Sequence, residues 1–137
     1  MHLWNVRRKR LAAVLMALLL AACGGQSQPA RLATQRQLID QVSISVTMPE
    51  VAQVASEQAV LVTLADAAGQ PIDGAEVWLA LIMPTMQMSP NEPDAQAEGG
   101  GRYRVTAIFT MSGNWNLEVH ATVAGQEYIA RFQQRTS

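Results

Sequence analysis

The sequence predicts an all-β domain, an immunoglobulin-like sandwich of about seven antiparallel strands, preceded by a signal peptide and a flexible tether. Three observations predict it. Apolar residues beyond residue 39 recur with a period of two, glycine-rich turn signals separate the alternating runs, and no convincing helical period follows the amino-terminal segment.

In order along the chain, Arg7, Arg8, Lys9 and Arg10 precede an apolar run over residues 11–20 and the small pair Ala21 and Ala22, the layout of a secretory signal peptide. Ten apolar residues fall short of the roughly 20 that a helix needs to cross a bilayer. Leu20-Ala21-Ala22-Cys23 resembles the bacterial lipobox, in which the cysteine thiol is alkylated with a diacylglycerol and the new amino terminus is usually acylated. Cys23 is thus the expected lipidation site, residues 1–22 the lipoprotein signal peptide, and the membrane a partner reached through the lipid. Cys23 is also the chain's single cysteine, which excludes an internal disulfide and a thiolate metal site from the mature protein.

Residues 23–38, rich in Gln, Ser, Gly and Ala and nearly free of large apolar side chains, have the composition of a lipid-anchored flexible tether. Residues 39–137 then form one small domain with a single core. After removal of residues 1–22 the chain keeps six Arg, no Lys and eleven acids, a formal balance of −5. The arginines are scattered singly, so nucleic acid is a poor partner and the lipid, not charge, makes the membrane contact.

Within the domain, Ile44, Val46 and Met48 alternate with Ser43, Ser45 and Thr47, and Val60, Val62 and Leu64 with Leu61 and Thr63. Val77, Leu79 and Leu81 alternate with Glu76, Trp78 and Ala80. Tyr103, Val105, Ala107 and Phe109 define a fourth inward face, Trp115, Leu117, Val119, Ala121 and Val123 a fifth, and Tyr128, Ala130 and Phe132 the last. Turn signals lie at residues 66–74, 99–101, 112–113 and 124–125. A short strand over residues 95–98, turning through the three glycines into the strand that begins at Arg102, places the 83–88 loop and Met111 at one end of the sandwich.

The unusual segment is Met83-Pro84-Thr85-Met86-Gln87-Met88, with Met111 in a later turn. Thioethers are soft, neutral donors that suit Cu(I) rather than zinc, calcium or magnesium. Pro84 restricts the backbone before Met86 and Met88. The same methionines also suit flexible packing or an adaptable apolar surface, and composition leaves both uses open. His120, the one histidine after cleavage, is a candidate additional ligand; its outward parity with Glu118 and its place about five residues into its strand, roughly 17 Å from the loop, fit a solvated surface residue as well. Trp78 lies on the outward face, where it would neighbour His120 and Glu118. It is a candidate partner contact, unless the tether or the methionine loop covers it. No nucleophile with a base and no carboxylate pair can be assembled, so the chain reads as a non-enzyme.

Taken in order, Gly69-Gln70-Pro71-Ile72-Asp73-Gly74-Ala75-Glu76-Val77, the methionine block 83–88, Gly101-Arg102-Tyr103 and Met111-Ser112-Gly113-Asn114-Trp115 resemble the YtkA-like or FixH-like domains over residues 42–133. The resemblance implies a small extracytoplasmic sandwich in the periplasm or at the cell surface, lipid-anchored or associated with copper-handling or efflux components. It implies a role in Cu(I) binding or delivery, with Met83, Met86, Met88 and Met111 as the matching methionines; His120 is not among them. FixH-like relatives keep a membrane span that this chain lacks. The alternative is a metal-free interaction module of an envelope or efflux assembly.

Overall fold

The computed structural model describes residues 28–137, and the expected signal peptide 1–22 and Cys23 lie outside them. The described chain holds nine strands and no helix: β1 (Leu32–Ile39), β2 (Val42–Pro49), β3 (Val51–Ala52), β4 (Glu57–Ala65), β5 (Glu76–Ile82), β6 (Gln96–Gly99), β7 (Arg102–Ile108), β8 (Gly113–Val123) and β9 (Gln126–Thr136). They form two facing sheets, one ordered β1-β2-β4-β7-β6 and the other β3-β9-β8-β5. With β1 and β3 set aside, the order of the remaining seven follows the A-B-E-D and G-F-C strands of an immunoglobulin-type sandwich. All pairings between strands are antiparallel except β3 with β9.

The period-two faces expected from the sequence meet between the sheets. Ile44, Val46, Val60, Val62, Leu64 and Val105 pack from one side against Leu79, Leu81, Leu117, Val119 and Ala130 from the other, all essentially without solvent contact. Each Val, Leu or Ile among them contributes about 1.5–3 kcal/mol on burial, and the glycine hairpin of β6 and β7 forms as expected.

Two strands exceed the expectation, and one of them corrects it. Residues 32–38, expected as tether, are most of β1. That strand buries no large apolar face, so the apolar period had nothing to detect. Main-chain pairing with β2 builds it instead, through a two-residue turn in which Asp40 and Gln41 both adopt positive φ. Its glutamines then cross to the other sheet. The Gln37 carboxamide accepts from the Arg131 amide at 2.9 Å and donates to the Arg131 carbonyl, and Gln35 donates to the Gln133 carbonyl at 2.9 Å, so that glutamine amides cap the edge of β9. Residues 91–95 do the same for β5 with main chain, Leu81 donating to Asn91, Leu79 to Pro93, and Ala95 to Val77, before the chain crosses over into β6.

Candidate functional site

The two ends of the sandwich are built by different chemistry. At the end holding the 66–75 and 99–101 turns, Gly101 has φ +72°, and a Cβ there would lie 2.5 Å from the Leu64 carbonyl oxygen and 2.9 Å from Pro71 Cβ. The Gly101 amide donates to Asp73 Oδ1 at 2.7 Å. The buried Tyr103 hydroxyl donates to the Ile72 carbonyl at 2.7 Å and accepts from the Ala75 amide at 3.1 Å. The Gly-Arg-Tyr block and the 69–77 block thus lock onto one another, and their role is structural.

At the opposite end the chain leaves β5 at Ile82 and enters β8 at Gly113. Because Ile82 pairs with Asn116 and Gly113 with Thr136, the 83–88 loop and the Met111 turn share one rim. The loop folds back on itself, Met86 N–H donating to the Met83 carbonyl at 3.1 Å and Met88 N–H to the Met86 carbonyl at 3.0 Å. Met83 is turned inward, 9% exposed, and its methyl carbon lies where a Cβ on Gly113 would come within 2.9 Å. Met86 and Met88 are 46% and 49% exposed. Met83 and Met88 line a common cavity of about 50 Å³ with Leu81, Ile108, Thr110 and Trp115. Met111 is half-buried against the core, and its carbonyl is clamped by the Trp115 indole N–H at 3.0 Å and the Thr136 hydroxyl at 2.8 Å. Trp115 in turn meets Phe109 edge-to-face, with centroids 5.4 Å apart.

This geometry explains a spacing that the sequence showed without a reason. In Met111-Ser112-Gly113-Asn114-Trp115, the tryptophan is inward as expected, but it also ties the turn through its N–H, and the glycine leaves room for Met83. The buried Met48 and the Thr136 clamp were not anticipated as parts of this end, because neither lies in an unusual run.

His120 is not with the methionines. Its partner across β5 is Trp78, four residues along from the Ile82–Asn116 pair, about 13 Å at the rise of a strand. The expectation of His120 as a further ligand beside the methionines is corrected: on the outer face its ring stacks on Trp78 at 3.7 Å and 11°, its Nδ1 faces Glu127 at 3.0 Å, and its Nε2 faces Glu118 at 3.5 Å. Arg131 bonds Glu118 at 2.7 Å, and that hydrogen bond holds the Glu118 carboxyl below the usual carboxylate range against an opposing desolvation penalty. The two carboxylates approach opposite sides of the imidazole, so they do not converge on a common ion. Trp78 has the neighbours expected of it, and the imidazole of His120 covers one of its faces. Among the described residues, no three His, Cys, Asp or Glu side chains are placed to hold a metal.

A family model described as YtkA-like matches residues 36–120, more than half of the chain, from within β1 through most of β8. Among curated proteins none matches.

Proposed function

The chain belongs to the YtkA-like family, and from that premise we propose that it is a lipid-anchored extracytoplasmic domain that binds Cu(I) through its methionine end and passes it to a partner. Cys23 carries the lipid in this reading. Met86 and Met88 are the primary ligands, and Met83 or Met111 supplies a third sulfur. The observation that carries it is that Met86 and Met88, two residues apart on a loop held by backbone hydrogen bonds, are both half-exposed. Soft uncharged sulfur is the donor type that favours Cu(I), and exposure of the loop lets an ion leave as easily as it enters. The fit is best for Met86 and Met88, whereas Met83 would have to turn part of its packed side chain outward.

The test is anaerobic titration of the soluble chain lacking residues 1–23 with Cu(I) against a competing chelator, beside M86L/M88L and M83L/M86L/M88L. Retention of copper by the wild type and its loss in both variants supports the reading. Equal retention by all three ends it. Slower methionine oxidation with metal present, followed by mass spectrometry at each residue, gives an independent readout.

A second reading is favoured by one observation: Val51, Met86, Met88 and Ile108 are all exposed at the same end. A metal-free module of an envelope or efflux assembly would use that surface for a protein partner, with methionines adapting to its shape. Trp78 contributes less to such a surface, since the His120 stack occupies one of its faces. In neither reading is the protein an enzyme.

A further inference from the structure

β1 starts at the methionine end. Leu32 pairs with Pro49, and the Glu50 amide donates to the Arg31 carbonyl at 2.8 Å, so the chain preceding the domain leaves from the rim that carries Met86 and Met88. Because residues 32–38 are strand and not tether, the connection to Cys23 is short: the eight steps from Cys23 to Arg31 span at most about 29 Å when fully extended. The sandwich, with strands of up to 11 residues, is itself about 36 Å long at the usual rise. To bring the opposite end to the anchoring surface, the connection would have to run taut along nearly the whole side of the domain.

The exposed apolar side chains are distributed accordingly. Leu32, Val51, Met86, Met88 and Ile108 lie at the methionine end, while among the described residues Leu38 alone of the exposed large hydrophobics lies at the other. Val51 is fixed there by its pairing with Arg135, and Ile108 by its pairing with Glu57 and its share in the cavity with Met88.

We propose that the methionine end faces the bilayer that holds the Cys23 lipid and rests its exposed apolar side chains on that surface, an orientation that rests on the lipoprotein reading above. Arg31 and Arg135 stand at this end with Glu50 and Glu57, and Glu92 follows Asn91, which pairs with Leu81 near the same rim, so headgroup charge does not draw this end to the surface. So few side chains do not hold a domain to lipid unaided. A short connection makes their contact intramolecular, at an effective concentration on the order of millimolar. Cargo bound by the thioethers is then presented at the membrane surface, within reach of a membrane-embedded acceptor, and the end closed by Tyr103 projects away.

The full chain, lipidated and reconstituted into phosphatidylethanolamine–phosphatidylglycerol vesicles, is footprinted with hydroxyl radicals and read by mass spectrometry. It is compared with a variant carrying a Gly/Ser insertion of about 20 residues after Gln28, which keeps the anchor but frees the domain. Met86 and Met88 are expected to oxidise severalfold more slowly with the native connection than with the long one, while Tyr128 at the far end changes little. Equal rates at Met86 and Met88 in the two proteins, or slowing at Tyr128 instead, overturn the orientation. Absence of diacylglycerol on the Cys23 peptide, or failure to float with the vesicles, overturns the anchor and the orientation together. A chain that floats but shows no protection overturns the orientation alone.

Discussion

The end closed by Tyr103 and the end that carries the methionines use the same device, a glycine beneath a packed neighbour, with opposite tolerance. Gly101 lies against the carbonyl of Leu64 and the ring of Pro71, parts of the fold that cannot swing aside. Gly113 lies against the terminal methyl of Met83, the far end of a side chain with three rotatable bonds. One end is rigid because directional hydrogen bonds and main chain meet there. The other is adaptable because thioethers fill it, and adaptability is what a surface that takes up and releases a ligand or partner needs.

The sharpest way to break the contrast is Gly101→Ala. The added carbon collides with main chain at a positive φ, and equilibrium urea unfolding should show a loss of roughly 3 kcal/mol or more. Tyr103→Phe should come next, at about 1–3 kcal/mol, because the Ile72 carbonyl and the Ala75 amide both lose their partner; faster hydrogen exchange at Ala75 would localise the effect. Gly113→Ala should cost about 1–3 kcal/mol, nearly all of it for a φ of +138° that side-chain-bearing residues rarely adopt, since Met83 can move. If Gly113→Ala costs markedly less in a Met83→Ala background than in the wild type, Met83 could not move aside and the methionine end is not the adaptable one.

Smaller effects sharpen the picture on the outer face and the rim. Glu118 has its pKa lowered by Arg131, so its contribution to stability is present above the ordinary glutamate range and is lost as the pH falls through the depressed value. Unfolding measured across the acidic range should therefore show a shallower loss in Glu118→Gln than in the wild type. M86L/M88L should change stability least, by about 0.5 kcal/mol or less, because both side chains are exposed. A larger loss would mean that these methionines are structural, which removes the main reason to assign them a ligand.

Most of the sandwich was legible because a buried sheet face writes itself into the chain as a period of two. Every inward residue proposed for β2, β4, β5 and β7 is buried between the sheets. β1 was illegible for the same reason: it is held by main-chain pairing with β2 and by its own glutamine carboxamides on the main chain of β9, which leave no apolar trace. The methionine block was conspicuous, and the short strand β6 brought its loop and Met111 to one rim as expected. Composition held nothing to say that Met83 turns inward over Gly113 while Met86 and Met88 stay outside, since all three share one chemistry and differ only in what surrounds them. His120 could be assigned a face from parity but not a neighbour, because neighbours across a sheet depend on which strands adjoin.

The amino-acid order alone determined the two-sheet β architecture, the direction each core side chain faces, and the presence of a soft-donor segment between two strands. Those properties follow from local alternation and residue chemistry. Only the tertiary structure decided that Trp78 lies against His120, that Tyr103 and Gly101 serve closure of the far end, and that the chain enters the domain beside its methionines. Each of these is set by strand order and register, which join residues far apart in sequence and have no signature within any one segment.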